Sequence, residues 1–78
     1  MKILIVDDDA VSRRILREII STEPGHQTTE AADGSEAWAL IDNPARYFNV
    51  IFLDVSMPNS SGLELLDRLR ESPLRQNF

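Results

Sequence analysis

Four consecutive apolar residues, Val50-Ile51-Phe52-Leu53, run straight into Asp54, and a proline follows four residues later at Pro58. A short apolar run with two β-branched residues reads as a strand buried on both faces, the pattern of a parallel sheet. In an open α/β sheet, ligands sit at the carboxyl ends of the strands. A carboxylate placed there is a candidate for chemistry, although Asp also forms ordinary turns. A second run ends the same way: Met1 to Val6, broken only by Lys2, stops at Asp7-Asp8-Asp9. Two apolar strands that end in acids at one sheet edge are hard to explain by capping alone.

Between and after these runs the punctuation is regular. Val11, Ile15, Leu16, Ile19 and Ile20 recur at helical spacing, with Arg13, Arg14, Arg17 and Glu18 on the other side. That helix is expected to stop near Thr22, ahead of the turn signal Pro24-Gly25. Gln27 to Ala32 reads as a second strand. Asp33-Gly34-Ser35-Glu36 is a capping box that opens a short helix through Ala37, Leu40 and Ile41, closed by Asn43-Pro44. Trp38 lies beside that stripe and reads as a packing residue rather than a binding aromatic. Tyr47 to Leu53 contains the third strand, and Pro58-Asn59-Ser60 reads as loop. Ser61-Gly62-Leu63-Glu64 is another capping box, and Leu63, Leu65, Leu66 and Leu69 supply the buried face of a third helix that fades before Ser72-Pro73. The order βαβαβα calls for parallel strands joined by right-handed crossovers.

Composition narrows the function classes. At 78 residues the chain is one small domain, of a size whose core rarely supplies more than about 3–5 kcal/mol. It has no cysteine and one histidine, which excludes disulfides, thiolate metal sites and histidine clusters. No apolar run has the length of a membrane span, and Asp7 to Asp9 interrupt the first run too early for a signal peptide. A cytoplasmic location without membrane partners is the expectation. The net charge of −5 argues against nonspecific nucleic-acid binding. Arg13, Arg14 and Arg17 form the one basic cluster and read as the solvated face of a helix.

If the first and third strands are parallel neighbours, Asp7, Asp8 and Asp54 converge on one pocket. Carboxylates at close range repel one another and raise each other's pKa values, and a cation relieves this. The ligand set is all oxygen, so a hard ion, Mg²⁺ first, is the natural choice, with a backbone carbonyl and waters completing its shell. For Asp9, capping of the following helix is a competing role.

These residues carry a resemblance. Ile3-Leu4-Ile5-Val6-Asp7-Asp8-Asp9, Ala31-Ala32-Asp33-Gly34-Ser35-Glu36-Ala37, Ile51-Phe52-Leu53-Asp54-Val55-Ser56-Met57-Pro58 and Gly62-Leu63-Glu64-Leu65-Leu66 together resemble the receiver domain of bacterial two-component response regulators. The likeness runs the whole chain in order and spacing. It implies a flavodoxin-like (CheY-like) α/β fold with strand order 2-1-3 for the part present. It also implies a phosphoacceptor role for Asp54, direct Mg²⁺ binding by Asp8, a partner role for Asp7 through water, and a third protein ligand in the backbone carbonyl of Ser56. The implied reaction is phosphoryl transfer from a phosphohistidine, on a histidine kinase or phosphotransfer protein, to the Asp54 carboxylate. The chain is then a signalling phosphoacceptor rather than a turnover enzyme.

Whole receivers have five strand–helix units, and residues 1–78 match the first three. The expectation is a truncated receiver without the family's strand-four Ser or Thr and strand-five Lys. Lys2, the one lysine, belongs at the far end of the first strand and cannot replace the latter. The third strand is then a bare edge and the first helix is partly uncovered, which predicts self-association. The expected form is a homodimer, through antiparallel pairing of the third strands or through exchanged elements. The alternative function is a non-phosphorylated module for dimerisation or partner docking.

Overall fold

The computed structural model of the chain describes residues 1–57 and 61–71. The elements are β1 (Lys2–Val6), α1 (Ala10–Ile20), β2 (Gln27–Ala31), α2 (Gly34–Ile41), β3 (Val50–Leu53) and α3 (Ser61–Glu71). The strands form one parallel sheet in the order β2-β1-β3. This is the first part of a flavodoxin-like α/β sheet, as the sequence predicts. The loop reading of Pro58-Asn59-Ser60, the capping role of the Ser61 side chain and the Ser72-Pro73 stop lie outside the described residues.

Local chemistry explains where the elements end. Asp9 caps α1, accepting from the Val11 amide at 3.0 Å and the Ser12 hydroxyl at 2.8 Å. At the other end the Ser21 hydroxyl donates to the Glu18 carbonyl and the Thr22 hydroxyl to the Ile19 carbonyl. Those two hydroxyls satisfy carbonyls that further helix would have used, so α1 stops at Ile20, short of Thr22. Asp33 caps α2 through the Glu36 amide at 2.8 Å, and the Glu36 carboxylate reaches back to the Ala32 amide at 3.2 Å. This is the expected capping box, displaced by one residue at its second bond, and it takes Ala32 out of β2. β3 occupies Val50–Leu53, within the expected Tyr47–Leu53 stretch, and Asn49 exchanges hydrogen bonds with the Lys2 backbone at its mouth: its amide donates to the Lys2 carbonyl at 2.7 Å, and its Oδ1 accepts from the Lys2 amide at 2.8 Å.

The core lies on one side of the sheet. Leu4 and Val6 of β1 pack with Ala31, Ala37, Ile41, Phe48, Met57, Leu65 and Leu69, and Trp38, Leu40, Ile51 and Leu53 close its margin. Trp38 is thus a packing residue, with the Arg68 guanidinium 5.4 Å from its ring centroid. Complete burial of a side chain such as Leu65 contributes about 1.5–3 kcal/mol. In α3 the inward residues are Leu65 and Leu69, one helical turn apart, with Leu66 half-buried. Leu63 is exposed, contrary to the expected stripe, because it stands on the outer side of the same turn.

The opposite face of the sheet is covered more thinly. Ile3 and Ile5 are buried there, while Leu16 and Ile20 of α1 are only half-buried. Val11, Ile15 and Ile19 stand 57%, 51% and 61% exposed, so the apolar stripe of α1 is wider than the sheet it covers. β3 is likewise not buried on both faces. Ile51 and Leu53 point to the core, but Phe52, opposite Ile5 in register, is 42% exposed. The apolar run marks the strand correctly, yet among the described residues no element covers its α1-side face.

Candidate functional site

Parallel register assembles the acids. Val6 pairs with Ala31 on one side and with Leu53 on the other. One step further, the Asp7 amide donates to the Ala31 carbonyl at 3.1 Å and the Asp54 amide to the Val6 carbonyl at 2.9 Å. The ladder therefore carries both acids to the same level at the carboxyl end of the sheet. Carboxylate oxygens of Asp7, Asp8 and Asp54 all lie within 4.8 Å of one another. Asp7 and Asp54 are half-buried and Asp8 is exposed. A groove of about 200 Å³ runs from Asp7 and Asp54 along Ile5, Val6, Leu16, Phe52 and Leu53.

The other acid of the run, Asp9, turns away to cap α1. Its carboxyl is held below the ordinary carboxylate value first by the Ser12 hydroxyl and then by the Val11 amide. Its amide also donates to Asp7 Oδ1 at 2.9 Å, which steadies the first acid of the cluster. Lys2 sits at the far end of β1, where it pairs with Gln27 and its ammonium lies 4.6 Å from the Tyr47 ring centroid.

Ser56 does more than its backbone suggests. Its hydroxyl donates to Asp54 Oδ1 at 2.6 Å and its amide to the same oxygen at 2.9 Å. These two bonds, the hydroxyl first, hold the Asp54 carboxyl below its ordinary value and keep it ionised at neutral pH. The Asp-x-Ser spacing of an Asx turn is a local signal for this contact. Two further residues have no local signal. Gly62 lets the first turn of α3 approach the backbone after Asp54: a Cβ there would collide with the Asp54 carbonyl oxygen and lie 2.8 Å from Val55 Cα. Arg13 donates to the Asp7 carbonyl from a residue that looks, in sequence, like part of a solvated helix face.

Three carboxylates on a shared edge fit a hard divalent cation. The cluster offers only oxygen, and neither imidazole nor thiolate belongs to it.

Comparison with known proteins agrees with this arrangement. Residues 3–77 match the family model described as the response regulator receiver domain. The chain is 37% identical over 70 residues to the chemotaxis protein CheY1 of Helicobacter pylori, covering 90% of this chain and 56% of that protein. It is 38% identical over 71 residues to the transcriptional regulatory protein CpxR of Klebsiella pneumoniae, covering 91% and 29%. Over all 78 residues it is 30% identical to the 3′,5′-cyclic-nucleotide phosphodiesterase regA of Dictyostelium discoideum, of which it spans 10%. Among solved structures, the Mn²⁺-bound form of the response regulator Rcp1 superposes with a TM-score of 0.85 at 26% identity, over 96% of this chain and 58% of that one. The chain thus spans little more than half, or less, of each of these proteins. With motif order, strand order and acid placement in agreement, the chain belongs to the response regulator receiver domain family.

Proposed function

We propose that Asp54 accepts a phosphoryl group from a histidine kinase or phosphotransfer protein in a two-component signalling step. Mg²⁺ is held for it by Asp7, Asp8, Asp54 and the backbone carbonyl of Ser56. The observation that carries this reading is the convergence of the three carboxylates within 4.8 Å at the carboxyl ends of adjacent parallel strands. Asp54 is the nucleophile. Ser56 occupies its Oδ1, so Oδ2 attacks phosphorus while the phosphorus–nitrogen bond of the phosphohistidine breaks and its electron pair returns to the imidazole. The carboxylate is already ionised, so no general base is needed. When bound, Mg²⁺ neutralises charge on the phosphoryl oxygens. Residues 1–78 supply the first three strand–helix units of such a domain, and a cytoplasmic location goes with the reading. No helix among the described residues is long and apolar enough to cross a membrane.

A second reading is a module for dimerisation or partner docking without phosphorylation. It is favoured by the exposure of Phe52, Val11, Ile15 and Ile19 and by the place of β3 at the edge of the sheet among the described residues. Under either reading we propose a homodimer, formed through β3 or through exchanged elements.

Intact mass after incubation with Mg²⁺ and a small phosphodonor, beside Asp54→Asn, separates the two. An adduct of one phosphoryl group that requires both Mg²⁺ and Asp54 is the expected result. A folded protein that takes no adduct, from the small donor or from a phosphorylated kinase domain, sinks the phosphoacceptor reading and leaves the docking module.

A further inference from the structure

The acidic loop is held from outside by a chain of charges that joins three elements. Arg13, on the first turns of α1, donates from Nη1 to the Asp7 carbonyl at 2.6 Å and from Nε to Glu30 Oε1 of β2 at 3.2 Å. Arg17, one turn further along α1, donates to the other oxygen of Glu30 at 2.8 Å. The Arg13 and Glu30 side chains are 17% and 27% exposed, more sheltered than an ordinary surface pair. Glu30 therefore fixes the fork and the fork fixes the carbonyl. The other side of Asp7 is also pinned to β2, through its amide on the Ala31 carbonyl.

We propose that Arg13, braced by Glu30 and Arg17, is a positioning residue that sets the peptide plane between Asp7 and Asp8 and thereby aims their carboxylates at the metal. This rests on the metal reading of the acidic cluster. A guanidinium suits the task because its rigid fork reaches two acceptors at once, which an ammonium on a flexible stem does not. The sign of the expected effect separates positioning from plain electrostatics. A fixed positive charge beside a cation site repels the cation, so removing it should tighten Mg²⁺ binding on Coulombic grounds alone. Loss of positioning should weaken it, as loss of the groups that orient metal ligands does.

The test is a calorimetric Mg²⁺ titration of the wild type, Arg13→Met, Arg13→Lys and Glu30→Gln. Amide hydrogen exchange at Asp9 is followed in the metal-free proteins, with Leu4 as internal reference. Arg13→Met keeps most of the stem packing and is expected to weaken Mg²⁺ binding about tenfold. Arg13→Lys, with charge kept and fork lost, should recover little of that loss. In both variants the Asp9 amide, bonded to Asp7 Oδ1, should lose protection while Leu4 keeps its own. Binding that is unchanged or tighter in Arg13→Met overturns the proposal. If the wild type takes up no Mg²⁺, the metal reading falls, and the Asp9 exchange still decides whether Arg13 orders the loop: lost protection upholds that, unchanged protection overturns it. Should Arg13→Met fail to fold, Glu30→Gln, which retains shape and Arg13 itself, carries the same two expectations.

Discussion

At the scale of single residues, the site depends on how few groups hold Asp54. Its carboxyl is lowered chiefly by the Ser56 hydroxyl and next by the Ser56 amide. A carboxyl with a depressed folded-state value favours the fold above its unfolded value, here 3.8, and that contribution is lost as pH falls through the lower folded value. The same sign applies to Asp9, whose bonds to Ser12 and Val11 lower it from 3.8 as well. Both contributions are therefore complete at neutral pH and fail only below the ordinary carboxylate range. Ser56→Ala removes the leading cause at Asp54 and leaves the amide bond. Its expected outcome is an upward move of the Asp54 titration midpoint, read by carboxyl carbon NMR, with the Asp9 midpoint unmoved. A midpoint that stays in place would mean that the amide, not the hydroxyl, sets the carboxylate's charge.

At the scale of elements, the acids are placed by strand ends and by one helix start. β1 and β3 end on the same level because their register is shared, whereas the approach of α3 is set by Gly62. Gly62→Ala forces a Cβ into the Asp54–Val55 backbone, and neither of those atoms is the end of a flexible side chain that could yield. Overpacking of this kind costs about 1–3 kcal/mol, a large part of what a domain this small has available. The expected result is a lower urea midpoint at unchanged slope, accompanied by weaker Mg²⁺ binding as the Asp54 segment is displaced. A variant with wild-type urea midpoint and metal affinity would show that α3 can withdraw without disturbing the site.

At the scale of the whole molecule, the two faces of the sheet are unequal. The α2–α3 side holds a continuous core, while the α1 side leaves Val11, Ile15, Ile19 and Phe52 substantially exposed. Exposed apolar side chains together with a strand at the sheet edge among the described residues favour association. The proposed homodimer predicts a weight-average mass that rises with concentration in sedimentation equilibrium. Phe52→Glu, which places a charge on the α1-side face of β3 and removes nothing from the core cluster, should shift the equilibrium toward monomer by at least about tenfold. A wild-type protein monodisperse as a monomer at high concentration would remove the dimer.

What the amino-acid order determined by itself was everything that repeats locally. Apolar runs named the first and third strands and a Thr-containing stretch the second, helical spacing named the helices, and Asp33 with Glu36 marked the start of α2. The runs ending on Asp7-Asp8 and on Asp54 placed the acids at strand ends, and the βαβ order made the strands parallel; that the first and third are neighbours was implied by the resemblance to receiver domains and is seen in the sheet order. Tertiary structure decided the rest. Arg13 and Glu30 are 17 residues apart and meet only because the fold brings the Arg13 and Arg17 side chains of α1 to Glu30 of β2, so no spacing could reveal the clamp on Asp7. Phe52 reads as buried because an apolar run carries no record of which neighbour covers each face. Helical periodicity likewise cannot say which part of a wide stripe is sheltered, and it is Leu16 and Ile20 that are half-buried while Val11, Ile15 and Ile19 are exposed. Burial depends on what packs opposite a residue, and that is a property of the assembled fold.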